Sequence, residues 1–161
     1  MKIGVISDTH IRSSARLLPK IIYSVFDGVD MIFHAGDILI DEVIIELETI
    51  APVYAVAGNN DSYEMLYKYG TKKIIEANGK RIGLTHGTGR ASAYAGAYSM
   101  FVKNNVDCVV YGHSHKPHNE VIDGVLFFNP GSPISKRFEQ RYSLGLLHVD
   151  KDIRGEIIYF D

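Results

Sequence analysis

Seven side chains able to bind a divalent cation recur at comparable places in this sequence: Asp8, His10, Asp37, Asn59, His86, His113 and His115. Five times an apolar run ends in one or two small residues and then in one of them, at Asp8, Asp37, Asn59, His86 and His113. Two of those positions carry a further polar ligand type at spacing two, giving Asp8-Thr9-His10 and His113-Ser114-His115. Gly36, Gly58 and Gly112 stand directly before their ligands, where glycine permits a sharp turn and close approach. One cation cannot use so many donors, whereas two cations bridged by a shared carboxylate use them all. The mixture of carboxylate, amide and imidazole suits manganese, iron, cobalt, nickel or zinc, while calcium prefers oxygen alone. Two such ions ~3.5–4 Å apart hold a bridging hydroxide, clamp phosphoryl oxygens and stabilise a leaving oxygen, which is the chemistry of phosphate ester hydrolysis. Facing only Asp8, Asp37 and a hydroxide, they also leave the site locally positive and attractive to phosphate.

Such donors need a scaffold whose strand ends converge. Runs at 2–7, 29–34 and 52–57 read as buried strands, and the segments 16–27 and 41–50 between them read as helices. Leu17, Leu18, Ile21, Ile22, Val25 and Phe26 recur at helical spacing in the first, and Val43, Ile44, Leu47 and Ile50 follow the candidate cap Asp41 in the second. Helical crossovers make these strands parallel. In an open α/β sheet ligands gather beyond the carboxyl ends of the strands, so donors remote in sequence meet there. The texture then changes: Asn78-Gly79 between Lys72–Ala77 and Lys80–Thr85, and Asp123-Gly124 between Glu120–Ile122 and Val125–Phe128, signal tight hairpins. A helix at 91–104, with Tyr94, Ala95, Tyr98, Phe101 and Val102 on one face, leads into a strand at 107–112, and strands at 142–149 and 155–160 close the chain.

Residues 1–161 are expected to form a single α/β domain, long enough to remove about 70% of the unfolded surface from water. The 46% hydrophobic and 22% charged composition is that of a chain folded throughout. Seventeen Lys and Arg against 19 Asp and Glu give a formal charge of -2, so no global field draws nucleic acid or anionic membrane. The single cysteine, Cys108, has no partner for an intrachain disulfide and reads as a small buried apolar group. Asp8 and His10 interrupt the opening run too early for the apolar region of a signal peptide, and no run approaches a membrane span; a cytoplasmic protein is expected.

Asp8-x-His10, Gly36-Asp37, Gly58-Asn59-x-Asp61, His86 and Gly112-His113-x-His115, in that order over residues 1 to about 135, resemble the calcineurin-like metallophosphoesterases. The compact length and the Asn129-Pro130-Gly131-Ser132 segment resemble the small bacterial and archaeal phosphodiesterase branch. The resemblance implies a four-layer α/β/β/α sandwich of two mixed sheets flanked by helices. It implies a hydrolase in which a hydroxide bridging two divalent metals attacks a phosphate ester, with a small phosphodiester as substrate. Asp8, His10 and His115 would then bind the first metal, Asn59, His86 and His113 the second, and Asp37 both. Manganese is the foremost occupant, with nickel, zinc, iron and cobalt as alternatives.

Two departures stand out. Asn60 occupies the place of the histidine in the Gly-Asn-His-Asp/Glu motif of many relatives, and asparagine cannot serve as a general acid. Asn60 and Asp61 remain the candidate catalytic pair, Asn60 as a hydrogen-bond donor to a phosphoryl oxygen and Asp61 as an orienting partner. Thr88 stands where some close relatives carry another histidine. Arg12, Arg16 and Arg90 follow ligand-bearing segments and have the chemistry to fork onto a phosphate, but solvated loop charge is the plainer role for each. His34 reads as a core or surface histidine before it reads as a ligand-orienting group. His118 and His148 carry no chemistry, Tyr94 and Tyr98 are core or interface residues, and Asn129 to Ser132 form either a plain turn or a wall of the site. Two other functions compete. The same fold resembles the retromer subunit Vps29, a protein-binding scaffold, although an intact ligand set speaks for an enzyme. A nuclease would want a basic arm or aromatic-basic interleaving that the sequence lacks. The tyrosine-rich helix is compatible with a homodimer or tetramer, and nothing in the pattern requires one.

Overall fold

A computed structural model describes residues 1–16 and 18–161. In chain order the elements are β1 (Lys2–Ile6), α1 (Lys20–Val25), β2 (Met31–His34), α2 (Asp41–Glu48), β3 (Val53–Ala55), α3 (Tyr63–Tyr69), β4 (Lys72–Ala77), β5 (Lys80–Thr85), α4 (Ala93–Phe101), β6 (Cys108–Val110), β7 (His118–Ile122), β8 (Val125–Asn129), β9 (Tyr142–Val149) and β10 (Ile153–Phe160). They form two five-stranded mixed sheets, ordered β10-β9-β1-β2-β3 and β4-β5-β6-β8-β7. β1, β2 and β3 pair in parallel, as do β5, β6 and β8, and the hairpin strands add antiparallel edges.

The alternation of side chains along each strand builds the four layers. Ile3, Val5 and Phe33 of one sheet meet Ile82, Cys108, Val110, Leu126 and Phe128 of the other in a shared core between the sheets. Their neighbours point the opposite way: Ile6, Ile32, Leu144 and Leu146 pack beneath Ile22 and Phe26 of the α1 segment and Val43, Ile44 and Leu47 of α2. On the far side, Val109, Tyr111 and Phe127 pack under Ala93, Ala97 and Phe101 of α4. Period-two alternation with both faces covered is what a sheet buried between two layers requires. Cys108 is buried in the inter-sheet core as anticipated.

The expected elements are present but mostly shorter. The run read as a helix from 16 to 27 is helical only over Lys20–Val25, because Pro19 sets the start as the cap residue; Leu17 lies outside the described residues. Asp41 is the first helical residue of α2, not its cap, and its carboxylate accepts bonds from Lys68 Nζ and Tyr69 Oη, each at 2.7 Å. Both hairpins turn where expected, with positive φ at Asn78 and Gly79 (50° and 77°) and at Asp123 and Gly124 (51° and 80°), the signature of type I′ turns. α3 was not anticipated. Ser62 caps it by accepting from Met65 N, and Gly70 ends it at φ 67°, but only Met65 of the helix is buried, so no apolar stripe marks it. No helix among the described residues is long and apolar enough to cross a membrane.

Phe128 links the layers of the inter-sheet core: its ring lies where a Cβ on Gly145 or Gly155 would come within 2.4 or 2.5 Å. Phe128→Ala removes that filling from a site with no exposed surface and is expected to cost ~3–5 kcal/mol in denaturant unfolding. A loss below about 1 kcal/mol would show that the sheets close over the gap.

Candidate metal centre

The carboxyl ends of β1, β2, β5 and β6 open onto one seam between the sheets, and the loops leaving them interlock. Asp8 N donates to Gly36 O at 3.0 Å, His10 N to Asp37 O at 3.1 Å, and Gly112 N to His86 O at 3.1 Å. Close approach depends on the glycines. A Cβ on Gly58 would stand 2.2 Å from Asp37 Oδ1, and one on Gly112 would stand 1.9 Å from Ser7 Oγ and 2.7 Å from Asp8 Oδ2. Asp8, His10, Asp37, His113 and His115 take φ values of 55°, 48°, 55°, 69° and 59°, the left-handed region, which costs of order 1–3 kcal/mol per residue. The surrounding bonds must hold that strain in place.

Asp8 and Asp37 are fully buried at the centre of the cluster. Asp8 Oδ2 accepts from Ser7 Oγ at 2.7 Å and from His113 N at 3.0 Å, while Ser132 Oγ donates to Asp8 O at 2.8 Å. Asp8 Oδ1 and His86 Nε2 are buried polar atoms with no hydrogen-bond partner among the described residues. Around Asp8 Oδ1 stand the Nε2 atoms of His115, His10 and His86 at 3.2, 3.8 and 3.9 Å. Asp37 Oδ2 lies 3.4 Å from His10 Nε2 and 3.4 Å from His86 Nε2, between the two groups of donors. One ligand atom each from Asp8, His10 and His115 lie within 4.8 Å of one another, and so do those of Asp8, Asp37 and His86.

Backbone carbonyls set the imidazole tautomers. His86 Nδ1 donates to Ala35 O at 2.7 Å and His115 Nδ1 to Ser135 O, which leaves each Nε2 lone pair facing the carboxylates. Imidazole nitrogens and carboxylate oxygens thus converge, with His10 Nε2 and His115 Nε2 3.2 Å apart, and such a donor set fits a divalent cation. His113 packs edge-on to His86 with ring centroids 5.1 Å apart, and Asn59 is exposed on the rim of a cavity that His86 also lines. Five of the seven sequence candidates therefore meet in the two tight groups, with His113 and Asn59 beside them.

Burial pushes Asp8 upward, but the imidazoles of His10, His115 and His86 outweigh it and hold the carboxyl well below its usual range. Burial raises Asp37 as well, and His86 followed by Asn60 brings it down to about 2. Reciprocally, burial lowers His86, while Asp37 and Asp8 leave it above its ordinary value. His113 is lowered, by burial first and then by His86, with the Arg137 cation adding to the effect.

Asn60 donates its backbone N–H and its amide Nδ2 to the two oxygens of Asp37, at 2.9 and 2.7 Å, so it positions that carboxylate and does not stand free. Asp61 accepts from Ile38 N, Leu39 N and Gly58 N at 2.9, 2.7 and 2.7 Å, tying the loops after β2 and β3 together. Asn129 and Ser132 support the site: Asn129 Nδ2 donates to Gly112 O at 2.8 Å, and the Ser132 hydroxyl anchors Asp8. Arg12, Arg16 and Arg90 are exposed, with no side-chain hydrogen bond among the described residues. Arg137, which no motif in the sequence marks, is exposed, and its cation acts on His113. Tyr111 Oη and Glu120 Oε2 hold His118 at 2.6 and 3.1 Å, away from the cluster, and His148 pairs with Glu156 at 3.0 Å.

A seam of carboxylates and imidazoles at converging strand ends of an α/β/β/α sandwich is a place where divalent cations can be held. The chain belongs to the calcineurin-like phosphoesterase superfamily, whose domain it matches over residues 1–152. It is 34% identical to a probable metallophosphoesterase of Methanothermobacter thermautotrophicus over 98% of this chain and 92% of the relative. It is 32% identical to a phosphodiesterase of Methanocaldococcus jannaschii over 81% of this chain and 83% of the relative. Its fold matches that of wild-type Vps29 from Entamoeba histolytica in complex with zinc, with a TM-score of 0.75 at 22% identity over 100% of both chains.

His34 shows how the seam is braced. Gly36 N donates to its Nδ1 at 3.2 Å, so its Nε2 carries the proton toward Thr9 Oγ1 at 3.1 Å. Complete burial drives its pKa from 6.5 down to about 3. Stability from the neutral ring is complete above pH 6.5 and is lost as pH falls toward 3, because the unfolded chain takes up the proton first. His34→Gln, which does not titrate, should flatten the acid side of the stability profile by up to about 1.4 kcal/mol per pH unit in urea unfolding of metal-free protein. An unaltered slope would show that the ring titrates alike in both states.

Proposed function

We propose that this protein is a metal-dependent phosphodiesterase acting on a small diester. The observation that carries the reading is the pair of orphaned buried atoms, Asp8 Oδ1 and His86 Nε2, 3.9 Å apart in a cluster of carboxylates and imidazoles. Asp8, His10 and His115 would hold one cation, Asn59, His86 and His113 a second, and Asp37 both, with manganese the proposed occupant. Two bound divalent cations supply a hydroxide nucleophile at neutral pH and offset the charge that develops on the phosphoryl oxygens. The chain's own residues orient and exclude. Ala35 O and Ser135 O fix two imidazoles, Ser7, His113 N and Ser132 fix Asp8, and Asn60 and Asp61 fix Asp37 and its loop. The amide of Asn60 has no proton to give a leaving oxygen, so good leaving groups, such as those of aryl diesters, are favoured over alkyl monoesters.

The phosphodiesterase relative supports a diester substrate. The net charge of -2 and the lack of a basic arm argue against polymeric nucleic acid. A protein-binding scaffold is the contrasting reading, and an intact donor set does not by itself separate the two, because a Vps29 has been solved with zinc. Activity separates them. Metal-stripped protein should hydrolyse bis(p-nitrophenyl) phosphate only after manganese, nickel or zinc is returned, and should turn over p-nitrophenyl phosphate more slowly. Two metals bound without turnover of either ester would favour the scaffold.

Asn60→His restores a general-acid side chain and should raise turnover of alkyl diesters by about 100-fold, the lower end of such help, while aryl diesters change little. Metal content must be measured alongside, since the substitution removes the amide bond to Asp37. No gain on alkyl esters at unchanged metal content would mean that the absent acid does not limit the reaction.

A further inference from the structure

Beside the metal centre lies a cavity of about 600 Å³, lined by Asn59 and His86 on the metal side and by Tyr63, Leu66, Thr88 and Met100 on the other. It is within the size range of small-ligand sites and runs from the candidate ligands to the exposed surface of α3. Its charge is unusual for a neighbour of a phosphate site. No lysine or arginine lines it, and the carboxylate oxygens of Asp61, its one acidic member, are bound by three backbone amides. The lysines on the flanking elements are engaged elsewhere: Lys68 with Asp41, Lys72 with Met100 O and Asn104, and Lys73 with Tyr69 O. A second phosphate or a carboxylate entering here would lose water and find no counter-ion.

An uncharged ring fits instead. Leu66 and the thioether of Met100 offer apolar and polarizable contact, and Tyr63, 91% exposed, has a free face on which a ring can stack. The Thr88 hydroxyl makes no side-chain hydrogen bond among the described residues and remains available to the polar edge of a bound group. We infer that the cavity receives the uncharged, ring-bearing alcohol of a phosphodiester, either an aryl or a nucleoside group, while its phosphate lies at the Asp8 and Asp37 cluster. The inference rests on the phosphodiesterase reading for what occupies the neighbouring centre, and it separates substrates by the group they carry, not by leaving-group reactivity.

Leu66 is 39% exposed on α3, so Leu66→Glu places a carboxylate in the cavity without entering the core. In manganese-loaded protein this variant should raise KM for bis(p-nitrophenyl) phosphate about tenfold, with kcat and the inhibition constant of inorganic phosphate held within twofold. An unchanged KM, or a KM and a phosphate constant rising together, would overturn the assignment. A second arm needs no turnover: thymidine and p-nitrophenol are titrated separately into the parent protein while backbone amide resonances are followed. Shifts at Leu66, Thr88 and Met100 are expected, and the tighter of the two probes names the nucleoside or the aryl class. Shifts elsewhere, or none, would overturn the assignment even if the diesterase assay succeeds. Loss of all hydrolysis with shifts still at those residues would instead remove the phosphodiesterase reading and keep the cavity as a ring-binding site.

Discussion

The structure depends on keeping two carboxylates, Asp8 and Asp37, ionised with 0% and 1% of their surface exposed. Burial alone would protonate them, since an unpaired charge removed from water is far costlier than the stability of a whole domain. Imidazoles on three sides reverse that tendency, and the histidines take the reciprocal shift at His86. The result is a compact anion held by neighbours that can be either protonated or metal-bound. A cation held there would compete with a proton for His86, so ion binding and proton release would be linked.

That constraint explains why the fold is a sandwich and not one open sheet. Asp8, His10 and Asp37 come from the loops of the first sheet, and His86, His113 and His115 from those of the second. The inter-sheet core of Phe33, Leu84, Val110 and Phe128 aligns the two sets of strand ends. Left-handed backbone at five donors turns each side chain into the seam, and long-range bonds such as His86 Nδ1 to Ala35 O and Ser132 Oγ to Asp8 O oppose the strain. Core packing supplies the alignment, and these few bonds convert it into orientation.

The sequence made the donors legible because polar residues at the ends of apolar strands have few other reasons to be there. The hairpins were legible because Asn78-Gly79 and Asp123-Gly124 satisfy a backbone requirement that few dipeptides meet. Other features had no local signature. α3 buries only Met65, so its Tyr63 and Tyr67 conceal the helical period, and cap and stop signals at Ser62 and Gly70 were its only marks. The carbonyls of Ala35 and Ser135 that orient the imidazoles carry no side-chain chemistry to read. Asp61 read as an orienting partner from its motif, but the three amides it binds depend on where two loops pass each other and carry no mark in the sequence.

Asn60 shows how one substitution divides two functions that a histidine would combine. Its amide gives Asp37 a neutral donor at 2.7 Å in addition to its own N–H, and that pair helps hold the carboxylate ionised. A histidine in the same position would compete for Asp37 as a further cation whenever it was protonated to act as an acid. The asparagine thus helps keep Asp37 ionised, and on the proposed reading it would leave protonation of the leaving group to water or to the leaving group's own acidity. On the proposed reading, selection among substrates would rest on two physical terms: how well the departing oxygen bears charge, and how well a ring fills the cavity beside Asn59 and Leu66.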